Sequence, residues 1–105
     1  MPRQIRQGDV LLVEVEQIPR GGRLVARDAG RVVLAYGEAT GHAHAIFEDD
    51  VSMIEVDEGI RYLDVPSEAV LRHEEHASHV LPAGTRWVVR RQREYVPEGP
   101  RSVED

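Results

Sequence analysis

Val51-Ser52-Met53-Ile54-Glu55-Val56-Asp57-Glu58-Gly59-Ile60-Arg61-Tyr62-Leu63-Asp64-Val65 is the stretch on which the fold turns. Two short runs rich in β-branched residues flank Asp57-Glu58-Gly59, and a three-residue connection ending in glycine is a common hairpin loop. Pro66 closes the second arm, because proline has no N–H to give a strand ladder. The segment predicts an antiparallel hairpin with arms Val51 to Val56 and Ile60 to Val65.

The same pattern extends outward in both directions. Asp9 to Glu16 reads as a strand ended by Pro19 and Gly21-Gly22. Arg23 to Arg27 is a second short strand. Asp28-Ala29-Gly30 gives a tight turn, and Arg31 to Glu38 is the expected partner strand. Thr40-Gly41 breaks that strand, and His42 to Phe47 resumes it. Glu68 to His73 fits either a strand or one helical turn. Leu81-Pro82-Ala83-Gly84 is a turn. Thr85 to Tyr95 is the longest strand, with Trp87 and Val89 on one face and Val88 on the other. Eight or nine short strands with Gly and Pro between them predict an all-β fold, a small antiparallel β-barrel or sandwich. The expected organisation is a single β domain over residues 1–96 and a flexible tail over 97–105, with the polar first six residues also unstructured.

The composition fits one domain. The chain has 105 residues, 41% hydrophobic and 30% charged. No apolar run approaches the roughly 18 residues that a membrane helix needs. No signal peptide is visible after Met1-Pro2-Arg3, so a cytoplasmic location without membrane association is expected. With no cysteine, thiolate nucleophiles, disulfides and iron–sulfur ligation are excluded. All 13 basic residues are arginine, which excludes Schiff-base chemistry and a P-loop. The net charge of −6 is concentrated: residues 32–85 carry two arginines against eleven acids. Such a field attracts cations and repels phosphate backbones, so nucleic acid is an unlikely partner.

Every histidine falls in that acidic middle, in two places: His42 and His44, then His73, His76 and His79. Residues i and i+2 of a strand share a face, so His42 and His44 present two imidazoles side by side. Neutral imidazole is the common protein ligand for first-row transition metals. His73 and His76 share a face on a helical turn but not on a strand. His73-Glu74-Glu75-His76 is one residue short of the zinc-protease signature. Glu48, Glu74 and Glu75 are candidate carboxylate ligands or proton acceptors. The acidic neighbours are expected to favour imidazolium in the metal-free protein.

Two other readings of the histidines stay open: plain hydrogen-bonded residues, or an acid and base working without a metal. Arg90-Arg91-Gln92-Arg93 could hold an anion, but such a run more often pairs with acids across a sheet. Trp87, Tyr36, Tyr62 and Tyr95 read as core and rim residues. Ser52, Ser67 and Ser78 have no nucleophile-elbow context.

Gly37, His42, His44 and Glu48 resemble the first cupin motif, and Pro82-Ala83-Gly84 resembles the Pro-x-Gly of the second. In this chain Trp87 stands where that family places its last histidine. The resemblance implies a small β-barrel around a metal, with His42, His44 and Glu48 as ligands and a fourth from His73, His76 or His79. The run from Gln7-Gly8-Asp9-Val10 to Arg91-Gln92-Arg93-Glu94-Tyr95 is also similar to a group of small uncharacterised bacterial proteins, which implies no activity.

The sequence therefore predicts a β domain binding a divalent transition metal (Zn, Ni, Fe or Mn) through His42, His44, Glu48, His73, His76 and His79, with a catalytic role left open. One alternative is a non-enzymatic assembly or interaction subunit that pairs with itself or a protein partner through an edge strand. Another is a metal-independent phosphodiesterase or nuclease using histidines as acid and base.

Overall fold

The computed structural model describes residues 2–37 and 41–91. Among the described residues, ten strands make two wholly antiparallel sheets that pack as a sandwich, not a closed barrel. In chain order they are β1 Gln4–Gln7, β2 Val10–Val15, β3 Arg23–Leu24, β4 Val32–Tyr36, β5 Ala43–Ile46, β6 Ser52–Val56, β7 Ile60–Val65, β8 Ala69–Arg72, β9 His79–Leu81 and β10 Thr85–Arg91. The larger sheet runs β1-β2-β10-β7-β6-β3 and the smaller β4-β5-β8-β9.

The β6–β7 hairpin forms as expected, with Val56 opposite Ile60 across a single 3-10 turn at Asp57–Gly59. Alternation then decides which side chains meet. Val10 and Leu12, Met53, Leu63 and Val65, and Trp87 face inward from the larger sheet. Ile46, Ala69, Leu71 and Leu81 meet them from the smaller one. Trp87 is fully buried, and its indole N–H donates to the Thr85 hydroxyl at 2.8 Å. That contact satisfies the one polar atom of the largest core side chain.

Three expectations are corrected and one open alternative is resolved. The first residues are not all loose: β1 pairs with β2, although Ile5 is its only apolar residue. Arg23 to Arg27 does not pair with the next strand. Only the bridge between Asp28 and Arg31 survives there, and β3 pairs with β6 instead. His42 to Phe47 does not resume the preceding strand but turns back antiparallel to it, Val32 opposite Ile46. Glu68 to His73 resolves as strand β8, and β9 follows where no strand was expected. A register shift at Leu34 lets both Leu34 and Ala35 reach the core, while Val33 packs with Ala43 and Ala45 outside it. Residues 92–95 of the longest expected strand, residue 96 and the tail 97–105 lie outside the described residues.

Candidate functional site

The inward row of β5 runs Ile46, His44, His42, and that of β8 runs Leu71, His73. The register pairs Ala45 with Arg72 and Ile46 with Leu71. Carried one step further, it sets His44 opposite His73. The connection from β8 to β9 then bends back and returns His76 to the same place. Two histidine groups separated by about thirty residues of chain therefore meet at one end of the sandwich. Ring centroids are 4.4 Å apart for His44 and His73, 4.5 Å for His73 and His76, 5.7 Å for His42 and His73, and 5.9 Å for His44 and His76. His73 and His76 meet through a loop, not through a helical turn.

The β1–β2 turn closes this end. Gly8 has φ +58°, the left-handed conformation wanted at the first central position of a two-residue hairpin. A Cβ there would lie 2.7 Å from His76 Nε2 and 3.2 Å from His44 Cε1. Glycine thus serves both the turn and the close approach of the imidazoles.

His44 is the fixed member of the group, at 3% exposure. The buried Gln7 amide donates to the carbonyls of Leu71 at 3.1 Å and Ala77 at 2.9 Å. Two acceptors on the amide nitrogen leave Gln7 Oε1 as the acceptor for His44 Nδ1, 2.8 Å away. The network thus assigns the proton to Nδ1 and leaves a lone pair on Nε2. Asp9 Oδ1 lies 3.6 Å from that Nε2. The other Asp9 oxygen is bound by Arg91, Nη2 at 3.0 Å and Nε at 3.3 Å.

Burial pushes the His44 pKa down to about 4, helped by His73, opposed by Asp9, and lowered further by His76 and Arg91. The expectation that acidic neighbours favour imidazolium is reversed at this residue: desolvation outweighs the one close carboxylate.

The other members are more open to solvent. His76 is exposed, His42 and His73 half-buried. His73 Nδ1 accepts the Glu75 backbone N–H at 3.0 Å, so neutral His73 carries its proton on Nε2. His42 Nδ1 lies 3.7 Å from Glu75 Oε2. The Glu74 carboxylate accepts the Ala43 N–H at 2.9 Å, which holds its pKa below the usual range. Among the described residues, no three or more His, Asp or Glu side chains already stand at metal-holding spacing.

Two expected residues stand apart. Glu48 follows β5 at the end opposite His42, and its carboxylate accepts the Val70 N–H at 3.4 Å. His79 sits on β9 opposite Leu71, outside the ring contacts. Gln7 and Asp9 are the members that sequence reasoning missed; the turn dipeptide Gly8-Asp9 was the one local signal. Arg91 does pair with an acid across the sheet, as such arginines commonly do.

Residues 6–92 match the family model of a domain of unknown function, DUF8820, and the chain belongs to that family. No curated protein and no solved structure matches the chain. No described helix is long and apolar enough to cross a membrane.

Proposed function

We propose that this DUF8820 domain binds a divalent transition metal at the histidine end of the sandwich. His44 Nε2 is the anchoring ligand, and His73, His76 and His42 complete the set. The observation that carries the reading is the Gln7–His44 bond. A ligating histidine characteristically has its other ring nitrogen held by a fixed acceptor, which sets the tautomer and aims the lone pair. Here a buried glutamine does this, itself fixed by two backbone carbonyls. The lowered pKa keeps that lone pair free of a proton at neutral pH. To hold an ion together with His44, His73 and His76, both on the 73–78 connection, would have to turn their lone pairs toward it.

Several imidazoles and at most one carboxylate favour zinc, nickel or iron over manganese. Asp9 is close enough to join once Arg91 lets go. Glu48 stays on the backbone of β8. An open position on such an ion would permit hydrolytic or oxygen chemistry. The cupin likeness contributes only the His42-x-His44 pair to this reading. Elemental analysis of protein purified without a histidine tag tests the proposal, and about one equivalent of a first-row metal per chain is expected. Protein that neither carries metal nor takes up added zinc refutes it.

The interaction-subunit reading has one observation in its favour. Phe47 and Val80 stand on the outer face of the smaller sheet at 53% and 54% exposure. Light scattering at micromolar concentration tests self-association, which Val80→Arg would abolish.

A further inference from the structure

The β1–β2 turn brings a carboxylate to the histidines as well as a glycine. The space that a Cβ would take at Gly8 is already filled by His76 and His44. The turn is therefore pressed against both rings, and the next residue, Asp9, sits half-buried beside His44. The two oxygens of Asp9 have different neighbours. Arg91 Nη2 at 3.0 Å and Nε at 3.3 Å both reach Oδ2. A fork-to-fork pair would spread over both oxygens, so this pair is set off-centre. Oδ1 instead lies 3.6 Å from His44 Nε2. Gln7 keeps the His44 proton on Nδ1, so Nε2 and Oδ1 are both acceptors. Two acceptors held this close suit a shared cation or donor better than they suit each other. Their separation is also near that of two ligands on one ion. A nitrogen and an oxygen each about 2.0–2.2 Å from a tetrahedral zinc stand about 3.4 Å apart.

We infer that Asp9 is a ligand of the metal through Oδ1, and that Arg91 is its positioning residue. The inference rests on the metal reading above and adds a carboxylate to the imidazoles. Ligating carboxylates are characteristically hydrogen-bonded themselves, as ligating histidines are through their other nitrogen. Arg91 thus does for Asp9 what Gln7 does for His44. Chelation by both oxygens needs Arg91 to let go; ligation by Oδ1 alone does not. His44 and Asp9 stand as a pair before the ion arrives, and histidines of the 73–78 connection add to it. Imidazoles with one carboxylate are a donor set of catalytic zinc and of iron(II) sites.

Zinc titrated calorimetrically into untagged, metal-free protein tests this, with circular dichroism to confirm folding of each variant. Asp9→Asn should weaken binding about tenfold or more, and Arg91→Gln about tenfold. Arg91→Lys should recover part of that loss, because an ammonium can still hold one oxygen. In the Asp9→Asn background Arg91→Gln should have no further effect, since it acts through Asp9. In the wild type, zinc should shift the carboxyl-carbon NMR resonance of Asp9, a readout that needs no variant. Equal affinity in folded Asp9→Asn, or an unmoved Asp9 carboxyl, overturns the inference and leaves the histidine reading standing. Tighter zinc binding by Arg91→Gln overturns the role given to Arg91, because the guanidinium would then be a competitor of the ion. A wild type that takes up no zinc overturns both readings.

Discussion

At one end of the sandwich, Met53, Leu63 and Trp87 face Ile46, Leu71 and Leu81 across an apolar interior. Two residues further along the same strands, the same inward rows carry Glu55 and Arg61 on one side and His44 and His73 on the other. Strand geometry and inward direction do not change between the two ends; the chemistry does. Valine or leucine at those positions would have extended the core at roughly 25 cal/mol per Å² of buried apolar surface. A polar side chain in the same place costs stability unless each of its groups finds a partner. The partners are present: Gln7 for His44, Asp9 for Arg91, Glu55 for Arg61. One end is therefore an apolar core and the other a partnered polar cluster where we propose a site, and substitutions should separate them.

The largest separation is expected from Trp87→Ala. Removing this fully buried ring should cost about 3–5 kcal/mol in urea unfolding, whereas His42→Ala with His76→Ala should stay within about 0.5 kcal/mol. Comparable losses at both ends would mean that the histidines belong to the core.

The second effect is pH dependence of the metal-free protein. The folded pKa of His44 is about 4, below its unfolded value near 6.5. Between those values the unfolded chain binds the extra proton, so this stability is fully present above pH 6.5 and is lost as pH falls toward 4. By pH 5 the loss should reach about 2 kcal/mol relative to pH 7.5, beyond what His44→Gln shows over the same interval. An identical pH profile in the variant would contradict the desolvated, neutral His44.

The smallest effect lies in the turn before β4. Ala29 has φ +56°, a left-handed conformation that its Cβ disfavours. Ala29→Gly should stabilise the fold by about 0.5–1 kcal/mol and leave zinc affinity unchanged. A change in affinity would show that the turn is coupled to the site.

Much of the stable end was legible in the sequence. The hairpin from Val51 to Val65 shows its strands in β-branched residues and its loop in Gly59. β1 was not legible, because Gln4-Ile5-Arg6-Gln7 owes its strand to pairing with β2, and the inward Gln7 is polar. The local turn at Asp28-Ala29-Gly30 suggested a hairpin, yet β3 found β6 across the sheet. At the site, the identity of four histidines was readable; their meeting was not. It depends on the register of β5 against β8 and on a loop that brings His76 back. Gln7 and Arg91 enter from strands, and Asp9 from the β1–β2 turn, at opposite ends of the described chain, a distance no spacing rule spans.

The central claim is that His44, held by Gln7, anchors a metal. Calorimetric titration of zinc into untagged, metal-free protein at about pH 7.5 tests it most directly, in the wild type and in His44→Ala and Gln7→Ala. The wild type should bind about one equivalent, Gln7→Ala should bind roughly 10–100-fold more weakly, and His44→Ala should lose still more. Absence of binding in the wild type, or equal affinity in folded His44→Ala, would contradict the account.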